Sequence, residues 1–471
     1  MICLFLVQEI FSYYMTDKLA LTDIFTDFDD TIFSDGSIDP IGLQVIWTSL
    51  GNRIFQNRLN TISTNIRAYT LNLFHHAVIQ HAREAYEEKI VNLVGRPPYD
   101  NRNDLYDGIV IFLECLLAHI LVRDNAPEEE TAIFIPGANK LNGILINRPG
   151  DKIASSLPVD RKDGILIRHI LLGIHGRHKG PFQQMGLFQK SDYYADDKLW
   201  KEIRKLFNSG SWGKLMSALV PRMDKHILSA KISGNKPIRV KVSDIVDENL
   251  ESLYRAALQP ANFNNDRLTH FWEHHLGLAD PKTTAGKIYA HVKTVGGEIL
   301  PQEALQLLAQ KHDDPFLMAI NAVEPFIAAI QKIMDRLLLR STSSVDAEVS
   351  ALIKKQLRNP AIDIHRITSY LTEDFFNYEA IRRLNRLIHI YNEHTNPMHE
   401  KGFTAGLIEF HRSITRQRGN LPWITISSTY HITQHRSFQY TSVALENQEK
   451  DTWVNDYYLN TVISLYKGLY A

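Results

Sequence analysis

"DGIVIFLECLLAHILV", residues 107–122, is the stretch that decides how the chain is read. Apolar side chains fill nearly every position, so no face is left for water, and a helix of that kind belongs at the centre of a bundle. The run is shorter than the roughly 20 apolar residues that cross a bilayer, and Asp107 and Glu114 interrupt it. The expectation is a buried core helix with other helices around it.

Candidates for those neighbours lie on the N-terminal side. "PIGLQVIWTSLGNRIF" (40–55) spaces Ile41, Leu43, Val45, Ile46, Leu50 and Ile54 near a 3.6-residue period, and "RAYTLNLFHHAVIQHAREAYEEKIVNLV" (67–94) continues it. Pro, Gly and Asn cluster in "GRPPYDNRND" (95–104) and in 125–152, where "TAIFI" and "GILIN" suggest a short hairpin. "KISGNKPIRVKVSDI" (231–245) reads as a polar turn leading into a strand through Ile238, Val240 and Val242. Helical patterning then resumes. Ser and Asp in "RSTSSVD" (340–346) suit helix N-caps. "LPWITISSTYHITQHRSFQYTSV" (421–443) is rich in β-branched and aromatic residues and predicts one or two strands, before a closing helix at 451–470.

The fold expected is therefore mainly α, with multi-helix bundle-like subdomains and a few short strands near 236–243 and 421–443. We place an N-terminal helical domain at 16–230, a middle helical domain at 231–340 and a C-terminal helical domain with short strands at 341–471.

Composition narrows the function classes. In 471 residues, Lys plus Arg total 52 against 53 Asp plus Glu, so no global charge draws the chain to nucleic acid or an anionic membrane. Any such partner must meet a local patch. The two cysteines, Cys3 and Cys115, lie far apart and outside any metal-ligand spacing. A disulfide framework and thiolate zinc are thereby excluded, and a reducing, cytoplasmic location is expected. The start "MICLFLVQEIFSYYM" has no basic leading segment, carries Glu9 inside the apolar run and lacks a small-residue cleavage site. Met15 is an alternative start.

Two motifs invite catalytic readings. "FTDFDDTIFSDG" (25–36) contains Asp27 and Asp29 in the Asp-x-Asp-x-Thr spacing that opens haloacid-dehalogenase-type phosphohydrolases. There the first Asp attacks phosphorus, the second handles the leaving-group proton, and magnesium offsets charge. Asp23 interrupts the strand that should deliver Asp27, and strands do not alternate with helices as a doubly wound sheet requires. The later acidic pairs, Asp196-Asp197 and Asp313-Asp314, follow polar or helical sequence. An acidic loop before a helix starting near Pro40 is the preferred reading, with a magnesium-dependent phosphohydrolase as the alternative.

The second motif is "THFWEHHLGL", where His270, Glu273 and His274 match the His-x-x-Glu-His of inverted zinc peptidases. The spacing sets both imidazoles on one helix face, but no further ligand can be nominated. No phosphate-cradling Gly-rich loop and no serine-nucleophile elbow occurs. No cofactor is expected.

Two basic stretches remain as partner sites. "GIHGRHKGPF" groups Arg177 and Lys179 with His175 and His178 among glycines, and reads as a flexible loop able to meet phosphate. Residues 351–420 hold 11 Lys plus Arg against 7 Asp plus Glu, concentrated at Arg382, Arg383, Arg386, Arg412, Arg416 and Arg418. Arg382 and Arg386 lie one helical turn apart, so they share a face suited to a nucleic-acid backbone or an acidic protein.

Asp39 to Leu43, Arg67 to Tyr69, Gly180-Pro181 and Arg418 to Trp423 reproduce a recurrent layout. The layout is an Asp-x-x-Gly-Leu helix, an Arg-aromatic helix, a central Gly-Pro turn and a late Arg-Gly-x-Pro-Trp segment. In this the chain resembles large, helix-rich, uncharacterised bacterial proteins encoded in mobile-element and phage-defence neighbourhoods. The resemblance implies a context, antiviral defence, and no reaction. The expectation is a non-enzymatic adaptor or nucleic-acid-associated, DNA-binding subunit of a bacterial complex, with other protein subunits as partners and no membrane.

Overall fold

The computed structural model describes residues 39–59, 64–94, 101–123, 154–157, 165–166, 169–230, 238–339, 342–435 and 453–470. Among these the protein is mainly α, with eighteen α-helices and five short strands. The stretches around Asp27, "TAIFI" and "GILIN", and residues 436–443 lie outside the described residues.

Two long buried helices organise the packing. In the N-terminal half, α1 (Gln44–Phe55) is followed by α2 (Ile66–Ala85), which buries 15 of its 20 residues. Next come α3 (Glu87–Leu93) and α4 (Arg102–Arg123), the apolar run, whose Leu105 to Ala118 are all but inaccessible. Strand β1 (Ala154–Leu157) precedes α5 (His169–Leu172), α6 (Ile174–Gln184), α7 (Asp197–Phe207) and α8 (Gly210–Met223). Helix α2 packs against α4, α6, α7 and α8, so it is the axis of this half. A helix so surrounded is buried on most of its circumference, and not along the single stripe that the 3.6-residue period of 67–94 predicts.

The chain continues through β2 (Ile238–Lys241), which pairs antiparallel with β1 in the register Ser155 with Val240. Helices α9 (Glu248–Ala257), α10 (Asp266–His275), α11 (Thr284–Val295) and α12 (Pro301–Lys311) lead to α13 (Pro315–Leu338). Helix α13 buries 17 of 24 residues and anchors the second half. It is the single described helix long and apolar enough to cross a membrane, and 78% of its apolar window lies inside the protein. Beyond it come β3 (Thr342–Ser344), α14 (Ala347–Leu357), α15 (Ile364–Ser369), α16 (Tyr378–Thr395), α17 (Glu400–Gln417), β4 (Ile424–Ile426), β5 (His431–Gln434) and α18 (Leu459–Tyr470). Strand β5 lies between β3 and β4, antiparallel to both.

Packing crosses the boundaries set near 230 and 340. Helix α1 rests on α11, α13 and α16, and α18 rests on α2 and α11. One continuous apolar cluster runs from Ile41 to Leu469. Local signals start many of the helices: the side chains of Asn65, Asp196, Asp247, Asn265, Thr283, Asp314, Asp346, Asp363 and Asn377 each accept a first-turn N–H.

Two local expectations are corrected. The first described helix begins at Gln44, not near Pro40, because Gly42 takes φ +72° and turns the chain before helix can form. "GIHGRHKGPF" is not a flexible loop: from Ile174 it is helix α6, and His175 and His178 are buried.

Candidate functional site

Helix α6 forms because α4 supplies its N-terminal cap from outside the local sequence. The buried Glu114 carboxylate accepts the N–H groups of Ile174 (2.9 Å) and His175 (2.6 Å), and its Oε2 meets His169 Nε2 at 3.1 Å. An anion at a helix start satisfies orphan donors and complements the helix dipole. Burial pushes the Glu114 carboxyl up, but the His169 and His175 contacts outweigh it and hold the group below the usual range. Gly173 is required here, since a Cβ would sit 2.5 Å from both Glu114 Oε2 and the His169 ring.

Two turns earlier on α4, Asp107 receives three donors: Tyr193 Oη at 2.8 Å, His175 Nε2 at 3.0 Å and Lys179 Nζ at 3.0 Å. From His175 the chain of contacts runs inward, Nδ1 to His76 Nε2 at 3.0 Å and His76 Nδ1 to the Tyr194 hydroxyl at 2.7 Å. One assignment satisfies every atom with both imidazoles neutral. Tyr194 donates to His76, His76 to His175, and His175 to Asp107. Burial first, then the neighbouring His175, holds the His76 imidazole well below its ordinary range, in keeping with that neutral form.

The network therefore polarises toward Asp107 and locks α2, α4, α6 and the 193–194 segment together. It is a fully partnered pillar, and Lys179, the cation expected to meet phosphate, is bound to Asp107 within it. Arg177 donates through Nε to the Leu172 carbonyl at 3.0 Å.

In the sequence Asp107 and Glu114 stand out only as signs against a membrane span, and Tyr193 and Tyr194 carry no signal of their own. The usable signal was the spacing. Two carboxylates seven residues apart in an otherwise apolar helix share one face and must find buried donors.

The other sequence-derived sites are placed as follows. Asp27 and Asp29 lie outside the described residues. His270 and His274 are exposed on α10, and Glu273 between them accepts from Tyr470 (2.7 Å), Tyr289 (2.9 Å) and Lys293 (3.0 Å). That carboxylate ties α10 to α11 and α18. No group of three or more His, Cys, Asp or Glu side chains suits a metal ion among the described residues. Asp196 and Asp314 are helix caps, and Asp314 also takes Lys287 at 2.7 Å.

The C-terminal arginines gather at one end of the α16/α17 pair. Arg383 donates to the Gly42 carbonyl at 2.6 Å, His411 Nδ1 to the Pro40 carbonyl at 2.6 Å, and Arg418 to the Asp39 carbonyl at 2.6 Å and its carboxylate at 2.8 Å. The start of α16 and the end of α17 thus converge on residues 39–42. Arg382 forks onto Glu379 at 2.9 Å, and Arg412 meets Glu409 at 3.1 Å. Arg386 and Arg416 are exposed. Tyr378, the first residue of α16, is 74% exposed, and Leu421, just past α17, is 85% exposed. They are the two most exposed large hydrophobic side chains among the described residues.

Fold and surface thus define a mainly helical protein with a buried polar pillar and one arginine-rich end bearing apolar tips. No protein-family model, curated protein or solved structure matches this chain.

Proposed function

We propose that this protein is a non-enzymatic adaptor or nucleic-acid-associated subunit of a bacterial multiprotein complex, with antiviral defence as the context its sequence layout suggests. The observation that carries the reading is the α16/α17 end, where exposed Tyr378 with Arg382 and Arg386 belongs to the start of α16, and Arg412, Arg416 and exposed Leu421 belong to the end of α17 and the residues just past it. Tyrosine and arginine are the residue types that dominate interface energetics, and large exposed apolar side chains are natural anchors for a partner.

An acidic protein surface fits this end better than a nucleic-acid backbone does. Arg382, Arg383, Arg412 and Arg418 already share their charge with Glu379, Glu409 and Asp39, which weakens the long-range pull on a polyanion. The apolar tips would supply affinity, and the arginines orientation.

The test is recovery of partners from the native host through a C-terminal tag, with and without nuclease. The parent is expected to retain stoichiometric protein partners in both samples, and Tyr378→Ala combined with Leu421→Ala to lose them while unfolding at the parent's temperature. Loss of partners on nuclease treatment would make nucleic acid the bridge. Recovery of the tagged protein alone would end the adaptor reading.

A further inference from the structure

Helix α7 carries a second basic surface, on the opposite side of that helix from its core contacts. Trp200, Ile203 and Phe207 are buried, while Lys198, Lys201 and Lys205 recur at i, i+3 and i+7 along the outer face. This face forms one wall of a cleft of about 720 Å³, whose other wall includes Gly213, Met216 and Ser217 of α8. Four cationic side chains, Lys198, Lys201, Arg204 and Lys205, line it against two carboxylates, Asp197 and Glu202.

Arg204 is braced from behind. Its guanidinium lies 2.7 Å from Glu84 Oε2 and 2.7 Å from His81 Nδ1, so it is held in one orientation. An imidazole nitrogen that accepts from arginine must be unprotonated, and burial together with Arg204 keeps His81 below its ordinary range. The Arg204 Nε, although buried, has no acceptor. Lys205 meets Glu202 at 2.7 Å, whereas Lys198 and Lys201 have no carboxylate partner among the described residues.

We infer that this cleft is a docking site for the phosphate backbone of a nucleic acid, held by Lys198 and Lys201 with Lys205 and Arg204 alongside. The stripe from Lys198 to Lys205 runs about 10 Å along the helix. Successive phosphates of one strand lie farther apart in space than their axial rise of about 3.4 Å, because the strand winds about the duplex, so the stripe spans about two of them. Met216 is the single apolar lining side chain and no Phe, Tyr or Trp lines the cleft, so the anchors of a protein interface are missing. The guanidinium of Arg204 is tied to Glu84 and His81, and the outward cations are lysines, which act as point charges, so binding is expected to be indifferent to sequence. The inference stands on a different surface from the α16/α17 end.

The full-length protein would be titrated against two unrelated labelled DNA duplexes of about 20 base pairs across 50–200 mM salt. The parent is expected to bind both equally. Lys198→Glu with Lys201→Glu should lower affinity at least tenfold and reduce the slope of log K against log salt by about 2. Arg386→Glu with Arg416→Glu should leave DNA binding intact, so failure here and failure of the partner recovery are read separately. Lys198→Ala with Lys201→Ala, expected to unfold like the parent, should shift the slope in the same direction if the charge-reversed chain misfolds. No binding by the parent at the lowest salt, or an unchanged slope in the alanine pair, would overturn the inference. Capture of an acidic peptide with the same lysine dependence, without DNA binding, would overturn it in favour of a protein ligand.

Discussion

Lys179 and Arg386 are both cations picked out from basic stretches, yet their surroundings give them opposite roles. Around Lys179 the partners come from four separate elements, and Asp107, Glu114, His76 and His175 are almost inaccessible to water. Around Arg386 the neighbouring arginines pair within one turn of their own helix or with residues 39–42, all near solvent. Removing one member of a buried pair strands the other, which costs roughly 3–5 kcal/mol, whereas an exposed pair contributes about 1 kcal/mol or less. Lys179 is itself 34% exposed, so it is the burial of its acceptor Asp107 that separates a cation that holds the fold from one that can meet a partner. Spacing in the sequence does not.

The largest expected effect breaks the pillar. Asp107→Ala removes the acceptor shared by His175, Lys179 and Tyr193, and is expected to destabilise the protein by about 3–5 kcal/mol in urea unfolding. Arg412→Ala removes an exposed pair and should cost under about 1 kcal/mol. Equal losses in the two variants would erase the contrast between the regions.

A second buried carboxylate sharpens it through pH. Glu324 on α13 accepts from the Tyr457 hydroxyl (2.7 Å), the Val454 and Asn455 N–H groups (2.8 and 3.1 Å) and the Trp47 indole (2.9 Å), joining α1 and the approach to α18. Burial outweighs those donors and raises its carboxyl to about 7. A carboxyl raised on folding contributes stability that is fully present below its unfolded value near 4.5 and is lost as pH climbs through 7. The parent should therefore lose up to about 3 kcal/mol relative to Glu324→Gln between pH 4.5 and 7.5. Parallel stability curves for the two chains would remove this group from the account.

How much of this could be read beforehand follows from where each partner lies in the chain. The helices announced themselves because their signals are local: the period of Ile46, Leu50 and Ile54, or the cap at Asp346. Helix α6 did not, because its N-terminal acceptor is Glu114, 60 residues from Ile174. With that carboxylate out of view, "GIHGRHKG" shows only the glycines and charges of a loop. The pillar was hidden for the same reason. His76, Asp107, His175 and Tyr194 are each ordinary alone, and only the packing of α2, α4 and α6 brings them together. The arginines were legible as a cluster, but their pairing with Glu379, Glu409 and Asp39 decides how much charge is left, and the Arg418–Asp39 contact spans 379 residues.

A smaller effect than that of either buried carboxylate tests how that arginine end is held. Gly42 sits at φ +72°, a conformation that costs a residue bearing Cβ roughly 1–2 kcal/mol, and a Cβ there would collide with the Arg383 guanidinium. Gly42→Ala is therefore expected to destabilise the protein by about 1–2 kcal/mol. The Arg383 side chain is flexible and can swing away, so the collision should add little beyond the backbone term. Its displacement breaks the bond to the Gly42 carbonyl and loosens residues 39–42 from the ends of α16 and α17. If that clamp presets the surface around Tyr378 and Leu421, partner recovery should fall more than so small a stability loss predicts. A variant that loses stability and keeps its partners would mean that the exposed tips, and not the clamp beneath them, carry the docking.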